Sequence, residues 1–349
     1  MTSLERIWYD DALAARLARA ALAPPAALYE AIVRARGALY DRGTLGVRRA
    51  SLPVLSVGNL SVGGTGKTPI AAWAATRLRA LGAHPSIVLR GYGGDETLVH
   101  ARLNPDVPVI ADADRVRGVE RARVQGADCV VLDDGFQHRR LARTADWVLV
   151  AAEQFARSRR LLPAGPLREP VSALRRAQLL IVTRKSATFD IAESVADQLA
   201  AGAHGVATAV CRLALSAVVN TLDGEEHPLA RVRGARIVAV AAIGAPAAYF
   251  AQLRALGVSA LREIAFPDHH AFDRRDVDHV VHESGGYDAV VCTLKDAVKL
   301  APLWPHVALP LWYVSQQAEI ERGGTALDAS LAEILSARAG ISSTAGAAG

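Results

Sequence analysis

A short glycine-rich segment carries the strongest chemical signal in the chain. Residues 61–68 read Ser-Val-Gly-Gly-Thr-Gly-Lys-Thr, and they depart from the phosphate-loop pattern G-x-x-x-x-G-K-[ST] only at the first glycine. The apolar run 54–57 precedes the segment, and a helical pattern follows it. Glycines let backbone N–H groups turn inward around phosphate oxygens, and a helix N-terminus adds positive potential. The segment therefore predicts a binding site for a nucleoside triphosphate.

Each position of this loop has an expected role. In such loops the lysine, here Lys67, reaches the β- and γ-phosphates, and the hydroxyl at Thr68 is placed to bind Mg²⁺. A glycine-rich turn with a chance lysine is the alternative, and the strand–loop–helix context disfavours it. The loop does not identify the group that receives the phosphate. The residues that we assign to nucleotide binding are Ser61, Val62, Gly63, Gly64, Thr65, Gly66, Lys67 and Thr68.

Two adjacent acids, Asp133 and Asp134, follow another apolar run, 128–132. An acid at the carboxyl end of a strand beside a phosphate loop is the usual second anchor for magnesium in this architecture. Acids at strand ends also occur by chance, so the assignment depends on the loop. Together with the loop, the pair predicts a Mg²⁺ site.

Asp95 and His269 are further candidates, each with a structural alternative. Asp95 follows an apolar strand and a glycine-rich loop, where it either accepts a proton from a sugar hydroxyl or caps a helix. His269 lies in Pro267-Asp268-His269-His270. Adjacent histidines point in different directions on regular elements, which disfavours a two-histidine metal site. His269 is then either the partner of a catalytic carboxylate or a surface histidine.

Composition excludes several classes of protein. The chain has 349 residues, a length typical of two domains. Its net charge of +5 is mild and its aromatic fraction is 5%, so nucleic-acid binding is not expected. The three cysteines lie far apart in the sequence and form neither a disulfide framework nor a metal knuckle. A reducing compartment is the default for such a chain, and nothing implies a protein partner.

The alternation of β-branched runs with helical patterns predicts an α/β fold. From Leu52 onward it favours a doubly wound parallel sheet of the P-loop type, covered by helices on both faces. An Asp223-Gly224 turn then predicts a hairpin that links a second, smaller α/β domain, which closes the cleft. The expected segments are N-terminal amphipathic helices (1–50), the phosphate-loop domain (51–214), the hairpin linker (215–235), the second domain (236–336) and a disordered tail (337–349).

The first fifty residues carry apolar side chains at helical spacing, with Pro24-Pro25 dividing two helices. No basic region followed by an apolar stretch opens the chain, so a secretory signal is not expected. The apolar run 237–251 is too short to span a bilayer. Two interpretations stay open for the helices. They either pack on their own domain or lie in a membrane interface with arginines toward anionic headgroups.

Six segments in the same order resemble the tetraacyldisaccharide 4'-kinase family, the lipid A 4'-kinases. They span nearly the whole chain, and the unusual first position of the phosphate loop is shared. Family members usually carry an acidic or polar residue where this chain has Leu294. The segments are Ser56–Pro69, Leu89–Gly93, Leu132–Arg139, Leu162–Pro170, Phe266–His270 and Lys295–Leu300.

The resemblance implies transfer of the ATP γ-phosphate to the 4'-hydroxyl of a tetraacyldisaccharide 1-phosphate, an acylated glucosamine disaccharide. It implies ATP and Mg²⁺ as cofactors, and a peripheral position on the cytoplasmic face of the inner membrane, which favours the interfacial interpretation of the N-terminal helices. It makes Asp95 the base with His269 as its support, and Lys67 catalytic. By the same resemblance Arg168 lines the phosphate site, and Asp133, Asp134 and Glu169 join Thr68 around the metal.

Two other functions stay open at this point. A P-loop GTPase or metallochaperone ATPase shares the loop, but the Asn/Thr-Lys-x-Asp guanine signature is incomplete at Thr183–Ser186. A membrane-binding module that only senses nucleotide is the second alternative. Consumption of ATP and GTP with and without acceptor distinguishes the first from a kinase, and liposome binding without phosphate transfer distinguishes the second.

Overall fold

The computed structural model describes residues 3–91, 94–203, 205–244 and 246–346. Tyr92 and Gly93 of the second family-like segment, and residues 347–349 of the expected tail, lie outside the described residues. The strands are β1 (Val54–Asn59), β2 (Pro85–Leu89), β3 (Val109–Ala111), β4 (Cys129–Asp133), β5 (Ala145–Ala151), β6 (Leu179–Arg184), β7 (Ala207–Asn220), β8 (Glu226–Pro228), β9 (Arg236–Ala241), β10 (Ala260–Ala265), β11 (Ala289–Thr293) and β12 (Leu311–Arg322). The helices are α1 (Ser3–Tyr9), α2 (Leu13–Ala21), α3 (Ala23–Asp41), α4 (Lys67–Ala80), α5 (Asp95–Leu103), α6 (Arg115–Val124), α7 (Ala152–Phe155), α8 (Phe189–Gly202), α9 (Pro246–Ala255), α10 (Arg274–Glu283), α11 (Leu294–Leu300) and α12 (Gly324–Gly346), with short 3-10 helices at Val171–Arg176, Leu229–Val232 and Ala301–Leu303.

The described chain divides into two compact units. The larger unit contains residues 3–91, 103–213 and 318–346, and the smaller unit contains residues 94–102 and 214–317. These bounds differ from the expected domains in two places. The segment that begins with Asp95 belongs to the smaller unit, and the last helix belongs to the larger one. Both differences arise from contacts between segments that are distant in sequence.

The larger unit contains a parallel sheet in the order β7-β6-β5-β1-β4-β2-β3. Strand β1 lies at its centre, and β1, β2, β4 and β5 are buried along their whole length. Parallel strands covered on both faces read as continuous apolar runs rather than as alternating patterns. The predicted doubly wound parallel sheet is therefore confirmed.

Helices cover both faces of this sheet. Apolar residues of α4 and α12 pack with alternate residues of β1 and β5, including Leu55 and Trp147, on one face. Residues of α7 and α8 pack with Val148 and Val182 on the other. Each fully buried Leu or Val contributes about 1.5–3 kcal/mol through the removal of apolar surface from water. This two-sided core fixes the carboxyl end of β1, where the phosphate loop begins.

The C-terminal helix completes the core of the larger unit. Leu327, Leu331 and Ile334 of α12 are buried against the central strands, and Ser330 Oγ accepts a 2.8 Å hydrogen bond from Trp147 Nε1. The helix continues through residues 337–346, where the Ser/Ala/Gly-rich composition predicts disorder. Alanine has the highest intrinsic helix propensity, which is consistent with a helix in that composition.

The smaller unit is built on β10, β9, β11 and β12, which pair in that order and in parallel. The predicted hairpin is confirmed: β7 and β8 pair antiparallel, with Val218 opposite His227. Its turn contains Gly224 at φ 77°, a left-handed conformation that glycine adopts without strain. Apolar residues of α9 cover one face of this sheet and those of α10 and α11 the other.

The N-terminal helices expose apolar side chains. The helices divide at Leu22, and Pro24-Pro25 lie in the first turn of α3, close to the predicted division. Leu13 is 70% exposed and Leu28 is 64% exposed, and Leu17 and Ile32 are similarly open. The packing of α2 and α3 therefore leaves these apolar side chains uncovered, and a membrane interface for the helices stays a prediction.

We expect Gly58→Ala to destabilise the protein. An added Cβ at Gly58 would lie 2.4 Å from Phe136 Cβ and 2.7 Å from Phe136 N, which forces β1 and the segment after β4 apart. Overpacking of this kind costs about 1–3 kcal/mol, so the melting temperature should fall by several degrees. Gly46→Ala is the control, because a Cβ there meets nothing within 4 Å. Equal melting curves for the two variants would contradict the close packing of β1.

Candidate active site

The loop between β1 and α4 has the geometry of a phosphate loop. Gly63 has φ 103° and Gly66 has φ 86°, both in the left-handed region that favours glycine. A Cβ at Gly66 would also lie 2.3 Å from Leu213 Cδ1. Ser61 is not among the described residues with positive φ, and its side chain donates to Gln154 Oε1 at 3.3 Å. The first consensus glycine is therefore dispensable here, because its position does not require a left-handed backbone.

Neighbouring elements hold this loop in place. Asn59 Nδ2 donates to Thr65 Oγ1 at 2.8 Å, and Thr183 Oγ1, from β6, donates to the Thr65 carbonyl at 2.8 Å. The Val62 N–H donates to the Pro166 carbonyl at 2.9 Å, and the Thr65 N–H to the Gly63 carbonyl at 3.0 Å. Since these two N–H groups are engaged by protein oxygens in this structure, we expect other loop amides to contact phosphate first.

Thr68 and Asp133 come together at the head of this loop. Asp133 is the last residue of β4, is buried, and lies opposite Val57 of β1 in the parallel register. Thr68 Oγ1, in the first turn of α4, donates to Asp133 Oδ2 at 3.0 Å. A hydroxyl and a carboxylate in this arrangement are the two protein oxygens that hold Mg²⁺ in P-loop enzymes.

Asp134 lies between two cationic side chains. Its φ of 58° is unusual for a residue with a side chain, and its N–H donates to the Val57 carbonyl at 2.9 Å. Arg168 Nη1 donates to both carboxylate oxygens at 3.0 Å, and Lys67 Nζ lies 3.7 Å from Asp134 Oδ1. Both cations are thus aimed at the carboxyl end of β4. Asp134 neutralises part of their charge.

Glu169 forms a buried ion pair with Arg176. Arg176 Nη2 lies 2.9 Å from one carboxylate oxygen and 3.1 Å from the other, and its guanidinium stacks 4.3 Å from the centre of the Phe136 ring. Burial lowers the pKa of Arg176, and the charge of Glu169 acts against this effect. Glu169, which the resemblance assigns to the metal, therefore forms an ion pair with Arg176 in this structure. The contact between Thr68 and Asp133 forms without it.

A basic cavity of about 100 Å³ adjoins these residues, between α3 and the segments that follow β4 and precede β6. Four arginines line it with one carboxylate, Glu169. Tyr29 of α3 donates from its hydroxyl to the Arg168 carbonyl at 2.8 Å, and burial together with the charge of Glu169 raises the pKa of Tyr29. An anionic group suits this lining. The arginines are Arg36, Arg139, Arg168 and Arg176.

In the smaller unit, Asp95 and His269 form a hydrogen bond. His269 Nδ1 lies 3.0 Å from Asp95 Oδ2, and the other oxygen, Oδ1, accepts from the Glu96 N–H at 3.0 Å. Asp95 is buried at the start of α5, whereas the His269 side chain is 41% exposed. Asp95 therefore bonds the backbone at the start of α5 through one oxygen and His269 through the other. The proton-accepting role that the sequence offered beside a helix cap stays a prediction.

The donor set at Thr68 and Asp133 fits Mg²⁺. Both offer oxygen, and Mg²⁺ is usually held by one or two carboxylates together with substrate phosphates rather than by a cage of protein ligands. Across the part of the chain that the structure describes, no group of three His, Cys, Asp or Glu side chains is arranged for a metal ion.

Sequence reasoning missed several residues of this site. Tyr29 and Arg176 gave no signal, because their partners become neighbours only through folding. Gln137 lies inside a family-like segment, and its Nε2 donates to the Asn59 carbonyl at 2.9 Å. In the sequence, Thr183 stands out only as part of an incomplete guanine signature. The available indication was a polar side chain at the carboxyl end of β6, two strands from β1 in the sheet.

The chain is similar to a family of known proteins along most of its length. The model of the family described as LpxK, Tetraacyldisaccharide-1-P 4'-kinase, matches residues 18–95 and 93–336. A tetraacyldisaccharide 4'-kinase from Anaeromyxobacter dehalogenans (strain 2CP-C) is 39% identical over 361 residues, which cover 95% of each chain. One from Halorhodospira halophila (strain DSM 244 / SL1) is 39% identical over 337 residues, 91% of this chain and 93% of the relative.

This chain is also similar to a solved structure of a protein named LpxK. A crystal structure of LpxK from Aquifex aeolicus in complex with ATP aligns with a TM-score of 0.71 and 28% sequence identity. The alignment covers 90% of this chain and 99% of that chain.

Within the described residues, no helix has both the length and the apolar character needed to cross a membrane.

Proposed function

Because the chain belongs to the tetraacyldisaccharide-1-P 4'-kinase family, we propose that it transfers the γ-phosphate of ATP to the 4'-hydroxyl of a tetraacyldisaccharide 1-phosphate. The product is lipid IVA, and the reaction belongs to lipid A biosynthesis. The observation that carries the proposal is the pairing of Thr68 with Asp133 beside Lys67, at the head of a loop with two left-handed glycines. This arrangement binds a triphosphate.

We propose the following division of roles. Lys67 and the loop amides bind the β- and γ-phosphate oxygens and offset the charge that develops on them. Arg168, now held by Asp134, acts on the same oxygens. The Asp95–His269 pair orients the 4'-hydroxyl and takes up its proton as the new P–O bond forms and ADP departs.

The same proposal extends to Mg²⁺. Thr68 and Asp133 would hold the ion, which when bound neutralises charge on the phosphate oxygens. The roles of Asp134 and Glu169 at the metal stay predictions, since in this structure their carboxylates engage Arg168 and Arg176. Their effect on those arginines supports a role in holding cationic side chains near the phosphates.

A peripheral position on the cytoplasmic face of the inner membrane is part of the proposal. The exposed leucines and isoleucine of α2 and α3 offer an apolar surface to lipid, and Arg16 and Arg34 lie on the same helices. Tyr29 of α3 also lines the basic cavity. One helix would thus contact both the bilayer and the anionic part of an acylated substrate.

The P-loop GTPase or metallochaperone alternative is not favoured. In a GTPase the segment after the strand equivalent to β6 reads the guanine base with an aspartate. Here the N–H groups of Lys185, Ser186 and Ala187 all donate to Glu153 Oε1, at 2.5, 2.8 and 3.0 Å. Burial raises the pKa of Glu153, but these N–H groups outweigh it and leave the pKa below its ordinary value. This segment is fixed by an internal carboxylate.

The decisive experiment supplies the purified protein with Mg-ATP and the disaccharide 1-phosphate, in detergent micelles, and follows the lipid by mass spectrometry. We expect one added phosphoryl group on the distal glucosamine, dependent on ATP and on the acceptor. GTP in place of ATP tests the alternative. Acceptor-independent hydrolysis without modified lipid, or liposome binding without transfer, would overturn the proposed function.

A further inference from the structure

The segment Lys295–Leu300 has no assigned role in phosphate transfer, yet it lies against the turn that carries His269. The segment forms most of α11, directly after β11. Asp296, its second residue, is fully buried, and Thr293 Oγ1 donates to Asp296 Oδ2 at 2.7 Å. A buried carboxylate is costly unless it is paired and hydrogen-bonded, so its partners indicate what it holds in place.

Ala242 connects the Asp296 side chain to the backbone of His269. The N–H of Ala242, which follows β9, donates to Asp296 Oδ2 at 3.1 Å. The carbonyl of the same Ala242 accepts from the His269 N–H at 3.2 Å. The buried carboxylate thus fixes the residue that in turn fixes the backbone of His269.

Lys299 makes a second connection to the same turn. Its Nζ donates to the His270 carbonyl at 2.9 Å and lies 5.2 Å from the centre of the Phe272 ring. The same Nζ is 3.7 Å from Asp296 Oδ1. The backbone of the turn is therefore held at two points: Ala242 binds the His269 N–H, and Lys299 binds the His270 carbonyl.

The backbone of His269 requires such support. Its φ is 57°, one of two positive values at non-glycine residues in the described chain. A left-handed conformation costs a residue with a Cβ about 1–2 kcal/mol, and it persists only where surrounding contacts determine it. Burial raises the pKa of Asp296, while the Thr293 and Ala242 bonds and the Lys299 charge act to keep its carboxylate ionised.

We propose that Asp296 and Lys299 are positioning residues: they hold the turn at His269 in its left-handed conformation, so that the imidazole meets Asp95. Lys299 contacts the turn at the His270 carbonyl, and Asp296 acts on it through the backbone of Ala242. The inference deepens the proposed function and rests on it where it concerns catalysis. It assigns a role to the segment Lys295–Leu300, which supplies no residue to the phosphate loop or to the proposed metal site.

A double-mutant cycle tests this proposal. Lys299→Met should lower kcat about tenfold in the wild-type background, with the KM for Mg-ATP nearly unchanged. In a His269→Ala background the same change should lower kcat less than about twofold, because the histidine through which it acts is gone. Lys299→Arg, which keeps a donor, should recover part of kcat. Lys295→Met removes the same charge from the same helix and should leave kcat unchanged.

A second measurement does not depend on turnover. Amide hydrogen exchange at His269 should accelerate in Lys299→Met and in Asp296→Ala, and not in Lys295→Met. If the wild-type protein transfers no phosphate, the proposed function fails while this measurement still decides the positioning role. Unchanged exchange at His269 overturns the proposal, and so does an equal loss of kcat in both backgrounds. If Asp296→Ala does not fold, Lys299→Met decides alone.

Discussion

Lys67→Ala should reduce kcat about 10³-fold while the protein stays folded. Lys67 opens α4, and its Nζ already points toward the carboxyl end of β4, 3.7 Å from Asp134 Oδ1. Its charge stabilises the transition state most strongly, because negative charge accumulates on the phosphoryl oxygens there. Removal of the charge should therefore lower kcat. Single-turnover measurements with radiolabelled ATP and the disaccharide acceptor measure it.

The control for this change is Lys295→Ala, which removes a lysine from the smaller unit. The Lys67–Asp134 pair is half-buried, and its 3.7 Å separation is longer than a hydrogen bond. It contributes about 1 kcal/mol or less to folding, so thermal unfolding of Lys67→Ala should stay close to the wild type. A variant that melts normally and keeps wild-type turnover shows that the loop does not act on the γ-phosphate.

Asp95→Asn should reduce kcat by about 10²–10⁴-fold. Asparagine keeps an oxygen that can accept from the Glu96 N–H, so the start of α5 is preserved, but it cannot take up the proton of the acceptor hydroxyl. The contact with His269 Nδ1 also loses its charge. The KM for Mg-ATP should change little, since no role in nucleotide binding is assigned to Asp95.

Glu96→Gln is the matched control, because it neutralises the adjacent carboxylate on the same helix. We expect its turnover to equal that of the wild type. If Asp95→Asn and Glu96→Gln lose the same modest fraction of activity, the effect is one of local charge and the assignment of Asp95 as the base fails. Circular dichroism of both proteins excludes unfolding as the cause.

The sequence predicts those parts of the site that are encoded within one short segment. The strand, the loop and the first turn of α4 lie within residues 54–68, and glycine spacing and a Lys-Thr pair are visible there without any tertiary contact. The substitution at Ser61 becomes understandable only with the backbone angles, since no left-handed conformation is needed there. Local chemistry predicts the loop and its fold class.

The sequence could not predict contacts between segments that lie far apart along the chain. Asp95 and His269 are 174 residues apart, and from the residues alone each had an equally good structural interpretation. Only the family resemblance joined them. The Tyr29–Arg168 contact spans 139 residues and had no signal at all. Likewise, the assignment of residues 94–102 and 318–346 to units depends on packing.

The position of α12 in the core has a consequence for biosynthesis of the protein itself. A ribosome produces β1 and the phosphate loop early, but the apolar face formed by Leu55 and Trp147 acquires Leu327 and Leu331 only after the whole smaller unit has been translated. Until then the nascent polypeptide displays uncovered apolar strands, the surface that chaperones and proteases recognise. We therefore expect messages truncated before α12 to yield a product that is degraded rather than a smaller working enzyme.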